Sequence, residues 1–221
     1  RASAMIFPEN VEQLKRVLEF LKEKNVKHKI LGNGSNLIFG NRYEGVLIKL
    51  NAFDHLKIDD TKIVVGAGYS LLKLALTVSR MGLTGLEFAT GIPGSVGGSI
   101  YMNAGAYKSD MGYVVRKVVV LTPNLDIQVL SNAEMNFHYR TSFLQEHPEY
   151  VCLEAEIDLR KGDKEAIMEV INDRKKRRLE SQPLEYPSAG SVFRNPPDDY
   201  AGRLIEVIGY KGKNIGDAEV S

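Results

Sequence analysis

The sequence predicts an α+β fold. Three observations point there. The chain opens on a strand–helix–strand pattern. Its middle is dense in strands. Beyond about residue 162, strands give way to helix, and a second domain is expected over 163–221. With 221 residues the chain is long enough for one large domain or two small ones with real cores.

Each element carries a local reason. "NVEQLKRVLEFLKEKN" sets Val11, Leu14, Val17, Leu18 and Leu21 on one helical face, with Asn10 as cap and Gln13 three positions on, as in a capping box. "RASAMIF" before it and "VKHKIL" and "GVLIKL" after it read as strands. "HLKID" and "KIVVGAG" follow as two more. "SLLKLALTVSRMG" is a helix with Leu71, Leu74, Ala75 and Val78 inward, Ser70 as N-cap and Gly82 as stop. "YVVRKVVVLTP", "DIQVLS" and "YVCLEAEIDLR" are strands. A long helix is expected over about 163–180, with Ile167, Val170 and Ile171 at helical spacing, and then a short one in "AGRLIEVIG". The run "RKKRR" at 174–178 is either a solvated helix end, where cations suit the macrodipole, or a set of charges near an anionic ligand.

Composition narrows the function. A formal net charge of +1 favours neither nucleic acid nor an anionic membrane as partner. No apolar stretch approaches the roughly 18–20 residues of a membrane span, and no secretory signal opens the chain. The one cysteine, Cys152, fits a reducing compartment and reads as a packing residue rather than a nucleophile. The four histidines show no metal-ligand spacing. A reducing compartment and no metal are expected.

Two glycine-rich stretches remain, "GNGSN" at 32–36 and "GIPGSVGG" at 91–98. Each glycine gives up about 0.5–1 kcal/mol of helix or strand stability, so both are expected as loops. They are either tight turns or places where a ligand lies against backbone N–H groups, as phosphate oxygens do in a nest. Neither matches G-x-G-x-x-G or a P-loop. "GGSIYMNAGAY" extends the second loop as if along a flat ring or a pyrophosphate. "FHYRTSF" offers Tyr139 and Arg140, and "SAGSVFRNP" offers Ser191, Arg194 and Asn195.

The stretches "LGNGSNLIF", "GIPGSVGGSIYMNAGAY", "YRTSF", "QPLEYPSAGSVFRNP" and "AGRLIEVIGYKGKNIGDAEVS" together resemble the UDP-N-acetylenolpyruvoylglucosamine reductase (MurB) flavoenzymes of bacterial cell-wall synthesis, in family order and over nearly the whole chain. The compact later segments resemble the shorter, type II branch.

The resemblance implies a two-subdomain FAD-binding domain of the PCMH/vanillyl-alcohol-oxidase type over 1–162, with subdomains about 1–50 and 51–162. A substrate-binding domain would follow over 163–221. It implies that NADPH reduces FAD and leaves, and that the enolpyruvyl group of UDP-N-acetylglucosamine-enolpyruvate then takes up hydride to give UDP-N-acetylmuramate. Carried over residue by residue, FAD would be held non-covalently by Gly32, Asn33, Gly34, Ser35, Asn36 and Leu37. The second loop would add Gly91, Ile92, Pro93, Gly94, Gly97 and Gly98, followed by Asn103, Ala104 and Gly105. Ser191 would be the proton donor and Arg140 the catalytic arginine. Tyr139, Arg140, Arg194, Asn195 and Lys211 would contact substrate, with Lys211 near its diphosphate. The family glutamate near the C-terminus has no match within 1–221, and Glu219 lies too early in the pattern. A monomer is expected. The alternatives are a flavin oxidase of small alcohols or sugars, often tethered to flavin through His or Cys, and a non-catalytic nucleotide-sugar binding module. No histidine lies in either glycine loop, which disfavours the oxidase.

Overall fold

In a computed structural model of the chain, residues 1–181 and 186–221 are described. Residues 182–185, part of the stretch "QPLEYPSAGSVFRNP", lie outside the described residues. The chain divides into two compact units, Arg1–Asn172 and Asp173–Ser221.

The first unit opens with β1 (Ala2–Ile6), α1 (Val11–Glu23), β2 (His28–Ile30) and β3 (Tyr43–Ile48). The three strands form a parallel sheet in the order β1-β3-β2. The central β3 buries Val46, Leu47 and Ile48 in succession, the continuous apolar run that burial on both faces requires. Helix α1 buries Leu14, Leu18 and Leu21, the predicted face. Asn10 accepts the Gln13 N–H at 2.9 Å, but the Gln13 side chain reaches past Asn10 to the N–H of Glu9 at 2.9 Å. The cap is therefore one residue wider than the expected box.

A five-stranded antiparallel sheet follows, in the order β10-β9-β11-β5-β4. Its members are β4 (Leu56–Asp59), β5 (Lys62–Gly66), β9 (Val115–Leu121), β10 (Ile127–Ser131) and β11 (Val151–Asp158). Along β11, Ala155 and Ile157 are buried, while Glu154, Glu156 and Asp158 point to the other face. There they meet His55 (2.7 Å), Lys117 (3.8 Å) and Arg116 (3.2 Å). Apolar residues on one face and paired charges on the other fix the register, since a one-residue slip would exchange the two.

Between the sheet strands lie α2 (Leu71–Arg80), β6 (Leu83–Thr84), a 3₁₀ turn at Glu87–Gly91, and α3 (Val96–Tyr101). The hairpin β7 (Gly105–Ala106) and β8 (Ser109–Asp110), a 3₁₀ turn at Met111–Tyr113, and α4 (Phe143–Glu146) complete this layer. Ser70 caps α2, with Leu71, Leu74, Ala75 and Val78 fully buried. One hydrophobic cluster joins α1, α2, α3 and both sheets. Cys152 sits in it, and burial pushes its thiol up to about 12.

Strand β12 (Arg160–Lys161) pairs with β6, and α5 spans Lys164–Ser181. Ile167 and Ile171 of α5 are buried, but Val170 is 42% exposed. The spacing that groups all three is too permissive, because Val170 and Ile171, at i+3 and i+4 from Ile167, lie about 100° apart around the helix.

In the second unit, residues 186–200 are irregular and exposed for the most part. They lead into α6 (Ala201–Val207) and the hairpin β13 (Asn214–Ile215) and β14 (Ala218–Glu219). Asp199 pairs with Arg203 one helical turn on, and that guanidinium holds its carboxyl down to about 2.

Candidate functional site

The two glycine stretches converge. Loop 32–36 leaves the end of β2, and residues 91–98 leave the 3₁₀ turn that follows α2. A Cβ placed on Gly32 would lie 2.8 Å from Ser95 Oγ and 3.7 Å from the Gly98 Cα. Only a residue without a side chain permits that approach. Behind it, Gly97 packs on Ala67, its N–H donating to the Ala67 carbonyl at 2.8 Å.

The second loop is not wholly a loop. Val96–Tyr101 forms α3, with Gly97 and Gly98 inside it, against the expectation that glycines of this density exclude a helix. The helical penalty is local and modest, whereas a Cβ on Gly97 would lie 2.9 Å from the Ala67 Cβ. Ser95 caps the helix by accepting the Gly98 N–H at 3.3 Å. Its backbone is bridged to Ser70, with Val96 N–H donating to the Tyr69 carbonyl and Leu71 N–H to the Gly94 carbonyl, each at 2.9 Å. Ile92, Pro93 and Gly94 therefore run across the start of α2.

The first loop supplies donors. Among the described residues, no hydrogen bond takes the N–H groups of Asn33, Gly34, Ser35 or Asn36. Asn33, Ser35, Asn36 and Leu37 are exposed, and Gly34 has a φ of +76°. Successive unpaired N–H groups beside a glycine-only contact form a cradle suited to phosphate oxygens.

Farther along, Asn103 has a φ of +40° and is almost fully buried. Its side chain bonds the His138 carbonyl at 2.8 Å and the Gly112 N–H at 2.9 Å. Ala104 N–H closes the end of α3 on the Ser99 carbonyl, and Gly105 pairs with Asp110 in the β7–β8 hairpin. Tyr139 and Arg140 occupy the centre of a tight turn between His138 and Thr141. The Arg140 guanidinium lies 5.4 Å from the centre of the half-exposed Tyr139 ring, a cation–π distance. Beside the turn, a cleft of about 450 Å³ is lined by Asn103, Asp110, Asn132, Asn136, His138 and Tyr139.

In the second unit, Ser191 and Arg194 are exposed in the irregular segment. The Asn195 side-chain oxygen, Oδ1, accepts the Ala201 N–H at 3.0 Å and so helps start α6. Lys211 is exposed, with its ammonium 3.4 Å from Glu206.

The comparisons with known proteins decide the family. An FAD binding domain matches residues 2–131, and the C-terminal domain of UDP-N-acetylenolpyruvoylglucosamine reductase matches 182–221. The chain is 46% identical to the UDP-N-acetylenolpyruvoylglucosamine reductase of Anoxybacillus flavithermus over 222 aligned positions, covering 100% of this chain and 74% of that protein. It is 45% identical to the enzyme of that name from Bacillus subtilis, covering 100% of this chain and 73% of that protein. The chain belongs to the UDP-N-acetylenolpyruvoylglucosamine reductase family. The crystal structure of the MurB reductase from Thermus caldophilus superposes with a TM-score of 0.83 at 34% identity, covering 98% of this chain and 77% of that one. As a member of this reductase family the chain is an FAD-dependent oxidoreductase, and the expected α+β architecture is the one observed. Among the described residues, no helix is long and apolar enough to cross a membrane.

Sequence reasoning missed two features of the site. The side chain of Gln145 donates to the Arg140 carbonyl at 3.2 Å. Ser142, fully buried, donates to the Tyr101 carbonyl at 2.9 Å. Both follow "YR" within five residues, and no local pattern marks either as part of a site.

Proposed function

We propose that the chain reduces the enolpyruvyl group of UDP-N-acetylglucosamine-enolpyruvate to UDP-N-acetylmuramate, with NADPH as electron donor and FAD held non-covalently. The step serves peptidoglycan synthesis, and through it cell shape and the cell cycle. The observation that carries this reading is the Gly32–Gly98 contact with unpaired N–H groups beside it. It is a cradle for the FAD pyrophosphate, formed by Gly32–Leu37 with Gly91–Gly94, Gly97 and Gly98. Asn103, Ala104 and Gly105 continue the wall. FAD, when bound, supplies a hydride carrier between NADPH and the alkene.

The chain's own residues supply the rest. Hydride arriving at the alkene CH₂ sends an electron pair onto the adjacent carbon and its carboxylate. Arg140 faces that carboxylate and stabilises the charge as it develops, without losing its own proton. Ser191 gives its hydroxyl proton to the carbon. A serine is a weak acid in water but strong enough against a carbanionic centre, provided neighbours reprotonate it. Tyr139, Arg194 and Asn195 orient the substrate, and Lys211 holds its diphosphate as a point charge.

We assign 1–162 to FAD binding, with subdomains about 1–50 and 51–162, and 163–221 to substrate. Each of the first two ranges holds one of the two larger sheets, and the C-terminal family domain matches inside the third. We place the enzyme in the bacterial cytoplasm, where a lone buried cysteine stays reduced. We read it as a monomer, which sedimentation checks.

The deciding experiment is anaerobic. NADPH should bleach the flavin of the full-length protein, and the enolpyruvyl sugar should restore it with one equivalent of product. Acid should release the flavin into solution. Restoration by oxygen alone, or flavin that stays on the denatured protein, would favour the oxidase. A protein that binds the sugar but carries no flavin would be a binding module.

A further inference from the structure

The turn that presents Arg140 is closed by two backbone bonds, His138 N–H to the Thr141 carbonyl at 3.0 Å and Thr141 N–H to the His138 carbonyl at 3.1 Å. Arg140 takes a φ of +58° within it. Side chains with a Cβ adopt that left-handed region only where the surroundings over-determine it. Here three side chains do so. Asn103 Nδ2 donates to the His138 carbonyl at 2.8 Å, and Gln145 Nε2 donates to the Arg140 carbonyl itself at 3.2 Å. Ser142 Oγ ties the next residue but one to the Tyr101 carbonyl at 2.9 Å.

The anchors share one origin. Tyr101 ends α3, and Met102, whose sulfur lies 3.2 Å from Gln145 Nε2, and Asn103 follow it directly. The other end of α3 is Ser95–Gly98, packed on Gly32. One short helix thus carries the glycine cradle at its start and the supports of the Arg140 turn just past its end. The Asn103 amide is committed at both ends, its oxygen to the Gly112 N–H and its nitrogen to the turn. That geometry makes its side-chain amide a brace for the turn.

We infer that Asn103 and Gln145 are positioning residues for Arg140, holding its turn in the left-handed conformation so that the guanidinium is aimed before substrate arrives. This rests on the reading that Arg140 acts on the substrate carboxylate. A planar fork meets a carboxylate in one geometry, and a misplacement of ~1 Å reduces rate by up to about 10²-fold.

The test uses the full-length FAD holoenzyme. Asn103→Asp keeps the size, the tolerance of a left-handed backbone and the acceptor for Gly112 N–H, but sets an oxygen against the His138 carbonyl. Gln145→Glu, at a half-buried position, removes the donor to the Arg140 carbonyl with equal economy and serves if the first variant folds poorly. In Gln145→Glu, flavin content and flavin reduction by NADPH should stay within about twofold of the parent, and in both variants reoxidation by the enolpyruvyl sugar, per bound flavin, should slow about 10-fold or more. The deficit should shrink as pH falls, because a carboxyl beside a carbonyl takes up a proton and donates again. Added to Arg140→Ala, either substitution should slow reoxidation by less than about twofold, since residues that act as a unit are not additive. Full additive losses in the double variants, with Arg140→Ala still slow, would overturn the positioning role alone. Normal reoxidation in Arg140→Ala by itself would overturn the reading of Arg140 and this inference with it.

Discussion

Gly32 and Gly98 meet backbone to backbone, with a Cβ on the first 3.7 Å from the Cα of the second. One follows a strand of the three-stranded sheet and the other lies inside a helix that packs on the five-stranded sheet. Their contact joins the two larger sheets of the first unit beside the unpaired N–H groups of 33–36.

Gly32→Ala should therefore release FAD. The new Cβ would lie 2.8 Å from Ser95 Oγ, the atom that caps α3. Relieving overpacking of this kind costs about 1–3 kcal/mol, or roughly 10-fold or more in affinity when the strain falls on the bound state. Flavin retained through gel filtration reports the loss, and circular dichroism should show the fold unchanged. Ordinary FAD affinity in this variant would remove the cradle from the site.

Ser191→Ala should separate the two half-reactions. Flavin reduction by NADPH involves no proton from Ser191 and should continue at the parent rate. Reoxidation by the enolpyruvyl sugar should slow by about 10²-fold or more, or ~3 kcal/mol in the barrier. Stopped-flow traces of each half-reaction check this, and equal slowing of both would make Ser191 structural.

Arg140 and Lys211 should fail differently. Arg140→Lys keeps the charge but loses the planar fork, so turnover should fall. Lys211→Ala should chiefly raise KM, because a diphosphate carries the same charge in the ground and transition states. Stability should barely change in the second variant, since the exposed Lys211–Glu206 pair is of a kind that contributes about 0–1 kcal/mol. Steady-state kinetics that exchanged the two signatures would reverse the assigned roles.

Cys152 should make the fold sensitive to alkali. Burial raises its thiol from 9.0 to about 12, so between those values the unfolded chain loses the proton and the folded chain keeps it. The folded state binds more protons there, and stability falls as pH rises through that window. Between pH 8 and pH 10 this contributes a loss of roughly 1 kcal/mol from this one group. Urea unfolding should show a smaller decline in Cys152→Ala, which starts lower because of the cavity. At pH 8 the native thiol should resist a disulfide reagent until urea exposes it.

Much of this was legible because its causes are local. The caps at Asn10 and Ser70 and the apolar faces of α1 and α2 act over three or four residues, and the structure repeats them. The strands of the five-stranded sheet follow from β-branched runs bounded by turns. Val170 shows the limit of such reasoning. Helical spacing places it with Ile167 and Ile171, but whether that side is covered depends on what packs there, and Val170 is left 42% exposed.

The sequence alone determined the α+β class, the glycine stretches and the family, since these rest on residue type, order and local periodicity. The tertiary structure decided that 96–101 is helical despite its two glycines and that Gly32 faces Gly98. It also decided that Asn103 and Gln145 spend their amides on the turn carrying Arg140. Each of these depends on atoms from segments distant in the chain. The free energy of a close approach or a buried hydrogen bond exists only once the fold has brought both partners together, so no window of sequence contains it.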